Sequence, residues 1–361
     1  MTLQDKLQIV LITYNRKKYL KRTLDEILAE GSPIRDFSIT ILDNASTDGT
    51  SELIDEYCTK FPNITHIRHK INIGGCANVC RGYEYGVSSG KEYVWVLCDD
   101  DRYDFSNWKA VEDLVNKKTD IICVSNYSFP TEKDQQDLKY QLFQLTFVPA
   151  LICRAELITD NVMMNMYNGI YTMFQSPCIV ISAINKKKQI KVLSQPIVFN
   201  GFQSDDACTD VSYTRGLKKG ESILDRTKNN QWVLGYANIL SLLNNKSIMT
   251  ECLETAIVYK DICNSWKNFY DCLGVQLGGK DRFNYFYEVY HLLSDARKRE
   301  INARYASAIQ LWLKQAGFPV RMTLSMRASS IQMGFKRIKL FVKIKTAALK
   351  DRIRIYLKRK K

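Results

Sequence analysis

Four times in the first hundred residues an apolar run stops abruptly at a polar cluster and gives way to an amphipathic stretch. "LQIVLIT" runs into "TYNR", "FSITILD" into "DNASTDGT", "ITHIRH" into "NIGG" and "YVWVLC" into "DDDR". Short apolar runs of this kind read as strands, and stretches with apolar residues at i, i+3 and i+4 read as helices. Their alternation predicts right-handed crossovers and an α/β fold, a mostly parallel sheet flanked by helices. The unbroken apolar run Tyr93 to Cys98 fits a strand buried on both faces.

The pattern places strands at Leu7 to Thr13, Phe37 to Asp43, "ITHIRH" and "EYVWVLC". It places helices from Lys17 to Ala29, from a cap at Ser46 or Thr47 to Lys60, over "GCANVCRGYEYGVS", and from Phe105 to Lys117. Further strands are expected at "DIICVS", Pro149 to Leu157 and Gln189 to Asn200. From Lys228 to Phe318 the pattern turns helical, with Gly317 to Pro319 as the boundary before a last basic segment. The implied organisation is 1–227, with halves 1–125 and 126–227, then a helical region 228–320 and a basic amphipathic tail 321–361.

At 361 residues and 45% hydrophobic the chain can bury a large core. No apolar run approaches the 18 residues of a membrane span, and the N-terminus lacks the pattern of a secretory leader. The eleven cysteines are scattered and odd in number, which reads as reduced thiols rather than a disulfide framework. Cys76 and Cys80 lack the second pair a zinc site needs. His66 and His69 fit a short strand and its exit, in hydrogen-bonded structural roles.

In open sheets of this class ligands bind beyond the carboxyl ends of the strands, so the polar clusters are expected to converge on one crevice. Asp99, Asp100 and Asp101 are the most demanding members. Carboxylates about 4 Å apart at an effective dielectric of about 20 repel by roughly 4 kcal/mol per pair. A divalent cation between them, Mn²⁺ or Mg²⁺, relieves that repulsion and leaves coordination positions open for a diphosphate. The bland alternative is a solvated acidic turn that caps the helix near Ser106. No glycine-rich dinucleotide fingerprint or P-loop occurs, so a diphosphate would be held by metal rather than by a glycine cradle. Asp43 and Asn44 offer an acceptor and a donor to a base or ribose edge, or else form a turn toward the following cap.

Together, "IVLITYNRKKYLKRTLDEIL", "ITILDNASTDGTSELI", "NIGGCANVCRGYEYG" and "YVWVLCDDDRYD" resemble the N-terminal half of family 2 glycosyltransferases with the GT-A fold, over residues 7–125 and more loosely to 205. The resemblance implies that Thr13, Tyr14 and Asn15 hold the nucleobase and that Asp43 and Asn44 recognise base and ribose. It implies that Asn72, Gly74 and Gly75 form the turn before a helix whose Arg81 reaches the diphosphate. Asp99 and Asp100 fall to the donor, and Asp101, with Asp99, to the metal. Ile12 stands where the family commonly has Pro, and Asn44 replaces a second acid, which leaves the base undecided between uridine and thymidine nucleotides. Inverting members use a carboxylate to deprotonate the acceptor hydroxyl. Tyr171 to Pro177 reads "YTMFQSP" and carries no acid, so Asp205 and Asp206 are the expected catalytic bases, with Asp100 and Asp160 behind them. Asn168 and Gln175 are expected to line the acceptor site.

Of the net charge of +14, residues 321–361 hold +13. A basic amphipathic segment suits the anionic inner face of a cell membrane, with nucleic-acid binding and a solvated tail as alternatives. The expected protein is cytoplasmic and peripheral on that membrane. It moves a sugar from a UDP- or dTDP-sugar to a glycan or lipid-linked glycan in surface polysaccharide synthesis. The rival readings are a nucleotidyltransferase on a related sheet and a non-catalytic nucleotide-sugar or glycan-binding module.

Overall fold

The computed structural model describes residues 2–126, 132–199, 201, 235–259 and 292–296. Asp205, Asp206, the boundary at Gly317 to Pro319, the basic tail and most of the expected helical region lie outside the described residues. After a four-residue helix α1 (Leu3–Lys6), β1 (Leu7–Thr13), β2 (Ile39–Asp43), β3 (Ile64–Arg68) and β4 (Tyr93–Cys98) alternate with α2 (Lys17–Ile27), α3 (Thr50–Lys60) and α4 (Gly75–Ser88). These four strands pair in parallel, in the order β3-β2-β1-β4. The strand-then-helix rhythm of the sequence thus becomes the half of the sheet expected of it.

Beyond β4 the sheet becomes mixed. A two-residue strand β5 (Arg102–Tyr103) leads into α5 (Trp108–Asn116) and β6 (Ile121–Cys123); α6 (Leu138–Gln144), β7 (Leu151–Arg154), α7 (Asp160–Asn168) and α8 (Ser176–Asn185) follow, then β8 (Ile190–Val192) and β9 (Val198–Phe199). The full order is β3-β2-β1-β4-β7-β6-β8, with β7 antiparallel to both neighbours. The run Gln189 to Asn200, expected as one strand, is two. Pro196 has no N–H to give a ladder, and β9 leaves the main sheet to pair with β5.

The fourth strand shows how both faces of the sheet are covered. Tyr93, Trp95 and Leu97 point into a core shared with α2, α3 and α5, where Trp95 stacks on Trp108 at 6.0 Å between ring centroids. The Trp95 indole N–H donates to Pro149 O at 2.8 Å and the Tyr93 hydroxyl to Thr119 O at 2.9 Å, so neither polar tip is stranded. Val94 and Val96 face the other way, against α4. That helix comes close because Gly82 and Gly86 have no side chain: a Cβ on Gly86 would lie 2.3 Å from Val94 Cγ1.

The described elements up to residue 256 form one compact unit, Met1–Lys218 with Gln231–Ala256; Lys219–Asn230 with Ile257–Lys361 form a second. Within the first unit, Tyr236 packs edge-on against Phe174 at 5.4 Å. Helix α9 (Lys246–Tyr259) follows it in the chain.

Gly86→Ala tests the approach of α4. Alanine favours a helix by about 1 kcal/mol over glycine, but overpacking against a stiff valine costs roughly 1–3 kcal/mol. Urea unfolding should show Gly86→Ala less stable than the wild type and than Gly82→Ala, whose nearest contact is 3.2 Å.

Candidate functional site

The carboxyl ends of β1, β2 and β4 meet at one edge of the sheet, and the loops that leave them are tied together. Asn15, just past β1, adopts a left-handed backbone with φ 50°, and Ala45, just past β2, does the same with φ 64°. The Asn15 N–H donates to Ser46 Oγ at 2.9 Å, and its side-chain oxygen accepts from the Thr47 N–H at 2.7 Å. Ser46 and Thr47 are therefore used as loop fasteners and not as the helix cap expected of them. Helix α3 starts later, behind Gly49, with Asp48 Oδ1 accepting from the Thr50 N–H at 3.1 Å.

Asp43 is fully buried. It accepts from the Ser46 N–H at 2.8 Å and from the Ser51 hydroxyl, while Arg68 Nε lies 3.4 Å away and His66 Nε2 3.8 Å, an ion-pair distance. Burial alone would raise this carboxyl. The nearby His66 and the hydrogen bonds from Ser46 and Ser51 outweigh it and hold Asp43 well below the usual carboxylate range. The same contact with Asp43, opposed by burial and reinforced by Asp55, raises His66 above the ordinary histidine value.

Asn44 is engaged within the protein. Its amide nitrogen donates to Asn72 Oδ1 at 2.8 Å and its oxygen accepts from the Ile73 N–H at 2.9 Å. Both side-chain groups of this buried residue thus hold the "NIGG" turn. Asn72 Oδ1 also accepts from the Gly74 N–H at 2.8 Å, and Gly74, with φ 86°, needs glycine to start α4. Arg81, expected to reach the diphosphate, pairs here with Glu84 and lies over the Tyr85 ring at 5.2 Å. Tyr14 is half-buried beside Thr13.

The three aspartates are no solvated turn: Asp99, Asp100 and Asp101 are 4%, 9% and 2% exposed. The 3₁₀ turn Phe105–Asn107 that leads into α5 is capped by Asp104, whose carboxylate accepts from the Ser106 N–H at 2.9 Å. Thr13 donates its hydroxyl to Asp99 Oδ2 at 2.6 Å. Arg16 Nη1 reaches Asp99 Oδ1 at 3.2 Å and Asp100 Oδ2 at 2.5 Å. Helix α2 clamps the backbone of the trio from one face. Arg22 Nη2 donates to Asp100 O at 2.7 Å, the Thr23 hydroxyl to Asp99 O at 2.8 Å, and Glu26 pairs with Arg102 at 2.5 Å. Gly201 presses its backbone on the same loop, where a Cβ would fall 1.7 Å from Asp100 O, and its N–H donates to Asp101 Oδ1 at 3.4 Å.

One oxygen in this cluster is left over. Asp101 Oδ2 is buried with no hydrogen-bond partner. Burial, with the neighbouring Asp100 and Asp99, pushes the Asp101 carboxyl well up, and burial pushes Asp99 up to about 7 against the pull of Arg16 and Thr13. An orphaned carboxylate oxygen beside a second acid suits a hard divalent cation, which fits the donor set expected of Asp101 and Asp99. Among the described residues no three His, Cys, Asp or Glu groups make a ready cation cage. A cation at Asp101 would therefore need further oxygens from a ligand or water.

Arg16, Arg22, Thr23, Arg68 and Gly201 were not singled out by sequence reasoning. The available signal was the demand of three buried acids for cations and backbone donors from adjacent loops. On the other side, Asp160 begins α7 and Asn168 ends it, both exposed. Gln175 is buried and directs its amide nitrogen to Gly169 O and Ile170 O, each at 3.4 Å, so it braces its own turn and does not line an open acceptor site.

Residues 8–181 match the family described as Glycosyl transferase family 2, and that part of the chain belongs to it. The abequosyltransferase RfbV of Salmonella typhimurium is 33% identical over 111 residues, which is 30% of this chain and 32% of that protein. A poly(ribitol-phosphate) beta-glucosyltransferase of Bacillus spizizenii is 27% identical over 43% of this chain and 26% of its own length. The alignments thus span about a third or less of these relatives. Among solved structures, S. aureus TarS 1-349 in complex with UDP-GlcNAc superposes with a TM-score of 0.53 at 15% identity, over 84% of this chain and 87% of that one. The mannosyltransferase PcManGT from Pyrobaculum calidifontis, in complex with GDP-Man and Mn²⁺, gives 0.50 at 14%, over 86% of each. At these identities the likeness establishes the fold, which is the GT-A arrangement.

Two measurements follow from the electrostatics. Asp101→Asn replaces a buried carboxyl that is costly to ionise with a neutral amide of the same shape, so the metal-free variant should gain in melting temperature over the wild type as pH rises and ionisation of Asp101 is demanded, by the equivalent of about 1–3 kcal/mol. His66 titrates higher in the folded chain than the unfolded value of about 6.5, so its contribution is full below that pH and is lost as pH rises through the folded value. His66→Gln should then destabilise the protein more at about pH 6 than at about pH 8.5 in urea unfolding; an equal loss at both contradicts the Asp43 contact.

Proposed function

We propose, for a chain whose residues 8–181 are a family 2 glycosyltransferase domain, that it transfers a sugar from a UDP- or dTDP-sugar to a hydroxyl of a glycan or lipid-linked glycan, with inversion, in the synthesis of a surface polysaccharide. The observation that carries this reading is the orphaned buried carboxyl oxygen of Asp101 just past the end of β4, one residue from an Arg-paired acid and at the same sheet edge as Thr13 and Asp43. The relatives' names support it in kind: one transfers abequose, the other glucose to poly(ribitol phosphate).

In this reading Asp101, with Asp99, holds Mn²⁺ or Mg²⁺. A divalent cation there supplies Lewis-acid stabilisation to the departing diphosphate. The chain's own residues do the rest. Asp43, pinned as an anion, and the half-exposed Arg68 beside it give the base pocket one acceptor and one donor. The fastened loops at Asn15 and Ala45 keep Tyr14 and Thr13 in place, and the "NIGG" turn closes the ribose side. An acceptor oxygen bonds to the anomeric carbon as the bond from that carbon to the diphosphate breaks. Its proton passes to a carboxylate, which we assign to Asp205 or Asp206, because the segment Tyr171 to Pro177 has no acid and Gln175 is committed to backbone.

Among the described residues no helix is long and apolar enough to cross a membrane. The +13 of residues 321–361 gives a peripheral anchor on an anionic leaflet, where each Lys or Arg contributes about 1 kcal/mol. Such an anchor brings the enzyme to a lipid-held acceptor.

The test is a panel of UDP- and dTDP-sugars assayed with Mn²⁺ for the released nucleotide. A nucleoside diphosphate is expected, and Asp101→Ala should lower its release at least about 100-fold without loss of the folded circular-dichroism spectrum. Release of pyrophosphate, or full activity in Asp101→Ala, contradicts the reading.

A further inference from the structure

Arg16 occupies a position that its backbone role does not explain. It is the N-cap residue of α2, a place that ordinarily goes to Ser, Thr, Asp or Asn, and its side chain makes no cap hydrogen bond. The guanidinium is directed away from the helix it begins, into the aspartate cluster. One nitrogen, Nη1, bridges Asp99 and Asp100 at 3.2 and 2.5 Å. The side chain is 20% exposed, against 5% and 12% for the side chains of Asp99 and Asp100, so it is the solvent-facing member of the cluster. Arg22, the other arginine at the cluster, is spent on a backbone carbonyl and neutralises no carboxylate.

The charge balance changes when a donor enters. Without ligand, one guanidinium serves Asp99 and Asp100, and Asp101 Oδ2 has no partner. A divalent cation at Asp101 and Asp99 competes for a carboxylate that Arg16 now holds. It also brings a diphosphate, a stronger and more accessible anion, to within reach of the planar fork. We propose that Arg16 is the counter-ion of Asp99 and Asp100 and becomes a ligand of the donor's diphosphate when metal and nucleotide bind, so that the cluster exchanges a guanidinium for a divalent cation. Arg16 is thus a donor-binding residue for the reaction proposed above, on which this inference rests, and it sets the site's preference for diphosphates over monophosphates.

The two roles make opposite demands, which separates them from a merely structural part. Removing the charge should help the metal, because a competing cation is gone, and harm the nucleotide, because a phosphate ligand is gone. In Arg16→Gln, titration calorimetry should show Mn²⁺ alone binding several-fold tighter than in the wild type. The same variant should bind uridine or thymidine diphosphate with Mn²⁺ about ten-fold or more weakly, with the monophosphates nearly unchanged. Added Mn²⁺ should raise its melting temperature more than it raises that of the wild type, since Asp99 and Asp100 are left without their counter-ion.

Arg16→Lys keeps the charge and loses the fork, so Mn²⁺ binding should stay near the wild type while diphosphate binding falls several-fold. That variant decides the question if Arg16→Gln does not fold in the absence of metal. Unchanged diphosphate affinity in the variant measured overturns the inference, and so does a parallel loss of Mn²⁺ and diphosphate binding in Arg16→Gln, the signature of a collapsed site. If the wild type with Mn²⁺ binds neither diphosphate, the glycosyltransferase reading fails and this inference fails with it.

Discussion

Three carboxylates buried at the end of a central strand must be paid in compensating charge and hydrogen bonds, and most of the surrounding architecture can be traced to that demand. Strand β4 carries them to the sheet edge because its alternate side chains are wanted on both faces: Trp95 in the core under α2 and α5, Val94 and Val96 against a helix made approachable by Gly82 and Gly86. Helix α2 is amphipathic in a double sense. Leu20, Leu24 and Ile27 fix it to the core, while Arg22, Thr23 and Glu26 hold the backbone that carries the aspartates. Thr13 and Arg16 then answer Asp99 and Asp100 directly, and Asp101 retains one oxygen with no partner. That remainder links packing to chemistry, because a site that is unsatisfied by protein alone is a site that gains from binding a cation.

The neighbouring acid is treated in the opposite way. Asp43 lies as deep as Asp99 but is surrounded by donors and cations, so it stays ionised, whereas burial lifts Asp99 to about 7. Two aspartates at the ends of β2 and β4, on either side of β1, thus differ in their readiness to ionise through their surroundings alone. A fixed anion suits recognition of a base or ribose, and a carboxyl whose charge is poorly compensated suits exchange of a proton for a metal ion.

Much of this could be read from the chain. β1, β4 and α4 fall where the apolar runs and the "NIGG" turn put them, because their signals are strong and local: near-continuous runs of apolar residues, and a glycine needed at positive φ. The departures have a common cause, which is that sequence spacing does not say which way a polar side chain turns. Asn44, expected at the ligand, turns inward to Asn72 and Ile73; Ser46 and Thr47, expected as caps, fasten two loops; Gln175 braces its own turn. Arg16 was visible within "TYNR", yet its link to acids more than eighty residues later depends on a sheet order that no local pattern contains. The antiparallel β7 escaped for the same reason, since strand direction is set by connections and pairing rather than by composition.

The central claim is that the aspartate cluster is the cation and diphosphate site of a glycosyltransferase. Crystals grown with Mn²⁺ and uridine or thymidine diphosphate allow the claim to be tested by anomalous diffraction at the manganese edge. The account predicts a single strong peak within coordination distance of the Asp101 carboxylate, shared with the diphosphate. Bound nucleotide with the manganese elsewhere, or with no manganese at Asp101, contradicts it.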